Sequence, residues 1–464
     1  MGYRTYGTNK QAYRQPRKHR SLSFLLSMRP DSRPLQVYLD SSDFSRFGDF
    51  LEGKGRPEIG ALLTSLEALV ASKAIECRFS YIHVVEAAPT TEVALHHARG
   101  RARAIERLCG RKALAPFTEL PAIDASGILK GDSLGTFPRD RSRFHGRSDI
   151  GQWFPSFDST MVEIAEMMTA LSNDVLGAVK ESDPEFAANR AMRRKLKKKA
   201  KPAKVSKSIR EMMPSAWPQF EAKIRTQFPL TKESSSTWQR FILRKADLSE
   251  VSTAIASDLS DLPEIMNWMS PTATGHLREA ASWLRSSTYQ FSDLIAASLE
   301  KMRELQERNS TIIDESQRRA LWEQGKVERR RKFEQQLLDS ALKSIEKDRE
   351  TLQLQGVDPK ELYDLVQEKG LDVLPSQRTL VAVWAANFEK NISPFEAKRK
   401  AEKVASDVGD IMHACYMPYV DIMRVDGFAY QYMLNAANSA QTILVDKLER
   451  LVPTIHSLIS DDPC

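Results

Sequence analysis

Residues 35–40 of the chain read Leu-Gln-Val-Tyr-Leu-Asp, a short apolar run that ends at an acid. Two later segments share this form. Residues 79–85 (Phe-Ser-Tyr-Ile-His-Val-Val) end before Glu86, and residues 419–425 (Tyr-Val-Asp-Ile-Met-Arg-Val) end before Asp426. Their length and their content of aromatic and β-branched residues predict strands. We therefore expect three buried strands, each followed by a carboxylate.

Helical patterns separate these strands. Apolar residues recur at helical spacing over three segments, at about 58–75, 91–109 and 395–417. Strands that alternate with helices predict βαβ units, in which the strands run parallel. The sequence therefore predicts an α/β fold with a mostly parallel sheet.

The middle of the chain has a different pattern. Residues 150–390 show helical spacing and no convincing strand, and residues 314–352 have the pattern of one long, heavily charged helix. The simplest interpretation is one α/β domain in two parts, residues 31–140 and 395–464, interrupted by a large all-α insertion. The length of 464 residues alone would also allow two to four consecutive domains.

The basic charge of the chain is concentrated in two segments. The chain carries 68 basic and 61 acidic residues, a net charge of +7. Residues 1–30 form an arm without any acid, and residues 193–210 contain a dense block of Lys and Arg. Such side chains release counterions from a nucleic-acid backbone, so both segments suit RNA or DNA. Two alternatives stay open: a solvated charged segment and, for the arm, an organellar targeting segment.

Composition excludes several other classes of protein. Hydrophobic residues make up 41% and charged residues 28%, which is typical of a soluble globular protein. No run of about 18 apolar residues occurs, so we expect no membrane span and no membrane partner. The four cysteines include no Cys-x-x-Cys pair, which disfavours a zinc ribbon or a disulfide framework. We therefore expect a cytoplasmic protein.

The acids that follow the predicted strands point to a cation site. The carboxyl ends of parallel strands meet at one edge of a sheet, where ligands bind in α/β folds, so Asp40, Glu86 and Asp426 are expected to converge. Asp410 lies in the helix that leads into the last strand. Carboxylates that lie close together repel one another, and Mg²⁺ or Mn²⁺ removes that cost. Taken singly, each acid could instead be a helix N-cap or a solvated loop residue.

Four segments resemble, in order, the motifs of PIN-domain nucleases. They are Val37-Tyr-Leu-Asp40-Ser41-Ser42, Ser80-Tyr-Ile-His-Val-Val-Glu86, Asp410-Ile-Met-His413-Ala and Val420-Asp421-Ile-Met-Arg424-Val-Asp426. Residues 451–459 lie where the family has a short closing strand. The chain departs from the family in the long separation of Glu86 from Asp410, and in Arg424, where many members have Thr.

The resemblance implies a three-layer α/β/α domain and a metal-dependent phosphodiesterase, usually an endoribonuclease. One or two Mg²⁺ or Mn²⁺ ions would be held by four acids: Asp40, Glu86, Asp410 and Asp426. Asp40 and Asp410 are the expected direct ligands, and the other two bind directly or through water. Asp421 ranks below Asp426, because an odd spacing along a strand turns the two side chains to opposite faces.

Four further residues are candidates for contact with the substrate phosphate: Ser41, Ser42, His413 and Arg424. Their structural alternatives are helix capping for the serines, packing for the histidine and a salt bridge for the arginine. RNA is the favoured substrate, and the sequence does not separate it from DNA. The insertion offers a surface for a regulatory protein or a second copy of the chain. The alternative function is a non-enzymatic nucleic-acid-binding or scaffold protein that uses the basic block and the long charged helix.

Overall fold

The computed structural model describes residues 33–117, 119–129, 231–242, 245–269, 314–347, 349–354, 356–392 and 407–460, with a few single residues and pairs between these ranges. Three predicted features lie outside the described residues: the basic arm (1–30), the basic block (193–210) and the first half of the third predicted helix (395–406).

Four short strands form one sheet in which every pair runs parallel: β1 (Leu35–Tyr38), β2 (Ile75–Arg78), β3 (Ile422–Arg424) and β4 (Ile443–Val445). Their order is β2-β1-β3-β4, so β1 pairs with one strand close to it in sequence and one from the far end of the chain. Val37 lies opposite Ile422 in the pairing of β1 with β3. The prediction of an α/β fold with a mostly parallel sheet is confirmed.

Helices account for most of the remaining described residues. The first part of the chain contains α1 (Ser41–Leu51), α2 (Pro57–Ala71), α3 (Tyr81–Ala87), α4 (Leu95–Cys109) and α5 (Leu120–Leu129). The middle contains α6 (Lys232–Ile242), α7 (Leu248–Asp258), α8 (Leu262–Trp268), α9 (Glu315–Lys347), α10 (Arg349–Leu354), α11 (Pro359–Lys369), a 3-10 helix (Gly370–Val373) and α12 (Pro375–Ile392). The last part contains α13 (Asp407–His413), a 3-10 helix (Ala414–Tyr419), α14 (Gly427–Ala440) and α15 (Leu448–Ser460). The described residues between 150 and 390 include no strand.

Local signals explain where the first helices begin. The side chain of Asp40 accepts a hydrogen bond from the backbone of α1, and the side chain of Asp43 accepts one from the backbone of Asp40. The two bonds form a reciprocal capping box. Pro57 occupies the first turn of α2, where its missing N–H costs nothing. The buried face of α2 includes Ile59, Leu63 and Leu66, as the helical spacing predicts.

The predicted strand over residues 79–85 is wrong. The strand lies just before it, at β2, and Tyr81–Ala87 form α3. The backbone N–H of Ser80 donates to Nδ1 of His83 at 3.0 Å, which closes the first turn of this helix. So short an apolar run does not distinguish a buried strand from a buried helix.

The expected closing strand at 451–459 is also wrong, because these residues belong to α15 and the edge strand β4 comes before them. Leu448, Leu451, Ile455 and Leu458 form the buried face of α15. Their spacing is helical and indicates a helix, whereas the strand was expected only from the family resemblance. Within the predicted strand at 419–425, only Ile422–Arg424 form a strand of the sheet.

Some of the described middle helices share an apolar core with the sheet. Val37 and Leu39 belong to the same cluster of buried side chains as Trp238, Ile265 and Val383. A second cluster of buried side chains joins α10 and α11 to α5. The α/β part therefore packs against α6, α8 and α12. Among the helices that the structure describes, none is long and apolar enough to cross a bilayer.

Candidate functional site

The carboxyl edge of the sheet places Asp40 and Asp426 on neighbouring strands. Asp40 follows β1 by two residues, Asp426 follows β3 by two residues, and the two strands are parallel neighbours. A small cavity of about 10 Å³ opens at this edge, and the side chains around it include those of Asp40, Asp410, His413 and Arg424. Such a volume is near the lower limit for a single water molecule or ion.

Asp40 and Asp426 are helix N-caps as well as edge acids. Oδ1 of Asp40 accepts from the backbone N–H of Ser42 at 2.6 Å, at the start of α1. Oδ1 of Asp426 accepts from the backbone N–H of Ala429 at 2.5 Å, at the start of α14. Each cap uses one carboxylate oxygen, so capping fixes the side chain and leaves the second oxygen for another partner.

Asp410, in α13, experiences the other acids most strongly. Burial raises the pKa of Asp410 well above its usual range. The negative charges of four other acids raise it further, in decreasing order Asp40, Asp426, Glu86 and Asp407. The structure therefore brings the other three predicted acids within electrostatic reach of Asp410.

Glu86 lies in α3 rather than at a strand end, and it is held from two sides. Nε2 of His413 donates to its Oε2 at 2.9 Å, and the hydroxyl of Ser41 donates to the same oxygen. Burial alone would raise the pKa of Glu86, but the charge of His413 and these hydrogen bonds outweigh it, so the pKa lies below its usual range. Glu86 is therefore an ionised carboxylate with a fixed orientation.

His413 is one member of a buried hydrogen-bonded network. Burial raises the pKa of Tyr38 well above its usual range, so its hydroxyl keeps its proton. This hydroxyl is hydrogen-bonded to Nδ1 of His413 and to the hydroxyl of Ser80, each at 2.6 Å. This network connects the end of β1 to α3 and α13, and through His413 it fixes the position of Glu86.

His83 completes the support behind this network. Its Nδ1 accepts from the backbone N–H of Ser80, so the proton is on Nε2, which donates to the carbonyl of Leu39 at 2.8 Å. Burial lowers the pKa of His83 to about 3, and the nearby His413 lowers it in the same direction. His83 is therefore a neutral structural residue with a fixed tautomer.

Arg424 is directed at carboxylates rather than at open solvent. Its side chain is only 3% exposed, and Nη1 lies 3.3 Å from Oδ2 of Asp40 while Nε lies 2.9 Å from Oδ2 of Asp43. Nη1 also donates to the hydroxyl of Ser42 at 3.3 Å. Burial raises the pKa of Asp43 to about 7, against the opposing effect of Arg424. The substrate-binding roles of Ser41, Ser42, His413 and Arg424 stay predictions, and all four side chains contact protein groups.

Asp421, the lower-ranked acid, lies away from this cavity at the start of β3. Arg33 donates to both of its carboxylate oxygens, at 2.9 and 3.1 Å, and the backbone N–H of Gln36 donates at 2.8 Å. Its partners are those of a structural acid that ties β3 to β1.

Two residues of the site were not singled out by the sequence patterns. Tyr38 sits inside an apolar strand, where a tyrosine is read as core. His83 follows Ser80 by three residues, the spacing of a capping interaction, and that spacing is the signal that could have identified it.

The donor chemistry at the carboxyl edge fits a hard divalent cation. Asp40 and Asp410 both line the cavity, and Asp426 and Glu86 add negative charge beside it. Within the part of the chain that the structure describes, no three His, Cys, Asp or Glu side chains are already grouped as a closed cation site. Cation binding would therefore require side-chain rotation, in particular of Asp40 away from Arg424.

Comparison of the chain with protein-family models, with curated proteins and with solved structures finds no match.

Proposed function

We propose that the chain is a metal-dependent phosphodiesterase that cleaves RNA, with a PIN-like three-layer α/β/α domain interrupted by an all-α insertion. The observation that supports this best is the group of acids at the carboxyl edge of the sheet. Asp410 lies within electrostatic reach of Asp40, Asp426 and Glu86. Asp40 and Asp410 line one cavity at this edge, and Asp426 follows the neighbouring strand. A divalent cation in this cavity would offset the negative charges around Asp410.

Each acid has a defined part in this proposal. Asp40 and Asp410 line the cavity and would hold Mg²⁺ or Mn²⁺ directly. Asp426 uses one oxygen as a cap and would reach the ion with the other, directly or through water. Glu86, held in place by His413 and Ser41, would orient a water molecule or complete the ligand set.

When bound, the ion would lower the pKa of a water molecule and neutralise charge on the phosphate under attack. The protein would contribute by positioning the carboxylates that hold the ion. The cap of Asp426 and the hydrogen bonds on Glu86 fix these two carboxylates before substrate arrives, whereas Asp40 would have to turn from Arg424 towards the ion. RNA as substrate is the expectation from the family resemblance, and the basic segments at 1–30 and 193–210 suit its backbone.

A cleavage assay with matched variants tests the proposal. Labelled RNA and labelled DNA are incubated with the full chain and Mg²⁺ or Mn²⁺. We expect Asp40→Asn and EDTA each to reduce RNA cleavage at least about a hundredfold, since even partners of metal ligands contribute 10–100-fold. Asp421→Asn is the control, because it removes the same charge from the opposite end of β3.

Two results would contradict the proposal. Cleavage that persists in EDTA or in Asp40→Asn would exclude the assigned mechanism. RNA binding without cleavage under any metal condition is the result expected of the alternative, a non-enzymatic binding or scaffold protein.

A further inference from the structure

Arg424 brings a permanent positive charge to the position where a cation is expected. It is the last residue of β3 and precedes Asp426 by two residues. Its guanidinium lines the small cavity together with Asp40 and Asp410. An arginine guanidinium carries a positive charge and has only donor groups, so it pairs with carboxylates.

The contacts of Arg424 occupy an oxygen that a metal ion would need. Oδ1 of Asp40 is engaged by the N-cap hydrogen bond, and Nη1 of Arg424 lies 3.3 Å from the remaining oxygen, Oδ2. Both groups are largely withdrawn from water, with the Arg424 side chain 3% exposed and the Asp40 side chain 12% exposed. Interactions between charges are weakly screened in such surroundings.

We propose that Arg424 is a built-in counter-ion that competes with a divalent cation for Asp40 and so sets the metal affinity of the site. This inference rests on the proposed function, since it concerns the same acids. Before metal binds, Arg424 offsets the repulsion at the carboxyl edge. When metal binds, Asp40 turns to the ion and Arg424 is released from it.

Asp43 makes this exchange feasible. Its carboxylate is fully buried, and its Oδ2 lies 2.9 Å from Nε of Arg424. If a buried arginine loses its only carboxylate partner, its uncompensated charge strongly destabilises the folded protein. Because Arg424 also contacts Asp43 and Ser42, it keeps partners after Asp40 has turned away.

Direct measurement of Mn²⁺ binding tests the inference without any assay of activity. Free Mn²⁺ is followed by its electron paramagnetic resonance signal while the full chain is titrated. We expect Arg424→Met to bind Mn²⁺ about tenfold more tightly than the unaltered chain, because one neighbouring positive charge is gone. Arg424→Lys retains the charge and should stay close to the unaltered affinity.

Asp43→Asn provides a second variant with the opposite sign. It takes away the second carboxyl group that shares Arg424 and leaves Arg424 to Asp40 alone, so Mn²⁺ should bind at least about threefold more weakly. This variant decides the matter if Arg424→Met does not fold, which circular dichroism would reveal.

The outcomes separate the inference from the proposed function. Equal Mn²⁺ affinity in the unaltered chain, Arg424→Met and Asp43→Asn, with binding lost in Asp410→Asn, would overturn the role of Arg424 and leave the metal site standing. Binding to Arg424→Met alone would support the competition and overturn the proposed metal-dependent activity of the native chain. Absence of Mn²⁺ binding in every folded variant would overturn both.

Discussion

At the amino end of β3, Asp421 is held by protein groups, whereas at the carboxyl end Asp410 lies among other acids. Arg33 and the backbone of Gln36 donate to both oxygens of Asp421. Burial and the charges of Asp40 and Asp426 instead raise the pKa of Asp410. The difference teaches that an acid with a full set of partners is structural, while an acid that its neighbours oppose is a candidate for function.

The largest expected effect is that of Asp410→Asn, which removes one of the acids at the carboxyl edge. RNA cleavage should fall at least about a hundredfold, because one metal ligand is lost. The same variant should unfold at higher temperature, by the equivalent of about 1 kcal/mol, since a source of repulsion is gone. Initial cleavage rates and calorimetry measure the two effects. A variant that is both fully active and less stable would show that Asp410 is a structural acid like Asp421.

Tyr38→Phe tests whether the network behind the carboxyl edge is structural. The change leaves Ser80 and Nδ1 of His413 without their shared buried partner, so the free energy of unfolding should fall by about 2 kcal/mol. Urea denaturation gives this value. The double variant with Ser80→Ala should lose less than the sum of the single losses, because the two groups form one network. Strictly additive losses would contradict the network.

His83 predicts a specific sensitivity to acid. Its pKa is about 3 in the folded chain and about 6.5 when unfolded, so between these values the unfolded state binds the additional proton. Stability should therefore fall as pH is lowered through this window, by about 1.4 kcal/mol per pH unit. His83→Gln does not titrate there, so the unfolding free energy of the unaltered chain minus that of the variant should decline between pH 6.5 and 5. A difference that is independent of pH would contradict a neutral, buried His83.

The smallest effect is expected at the amino end of β3. Asp421→Asn weakens a partly exposed ion pair with Arg33, so the free energy of unfolding should fall by only about 1 kcal/mol or less. The rate of RNA cleavage per folded molecule should stay within about twofold of the unaltered chain, because Asp421 does not line the cavity. Thermal unfolding and the cleavage assay measure the two quantities. A large loss of cleavage would contradict the assignment of Asp421 as a structural acid and of Asp410 as a functional one.

Two of the four strands, β1 and β3, could be predicted from short stretches of sequence. Residues 35–38 and 422–424 are strands, and Asp40 and Asp426 follow them at the same edge, as the apolar runs indicate. The segment 79–85 could not be predicted in the same way. A mostly apolar run of seven residues fits a buried strand and a buried helix equally well, and the capping contact of Ser80 with His83 favours the helix.

Sequence patterns could not predict which groups the side chains of the site contact. Arg424 could have met a phosphate, a surface acid or solvent, and the structure directs it to Asp40 and Asp43. Tyr38 and His413 are far apart in sequence, yet their side chains share a hydrogen bond. Such contacts depend on the packing of several elements at once, which no local spacing encodes.

The sequence by itself determined the parallel α/β class, the strand-end positions of Asp40 and Asp426, and the capping that fixes both side chains, because these follow from local periodicity and hydrogen bonding. The tertiary structure alone decided which acids meet. The pairing of β1 with β3, with Val37 opposite Ile422, brings the two ends of the chain into register. That register places acids from both ends of the chain at one edge, because parallel neighbours end on the same side of a sheet.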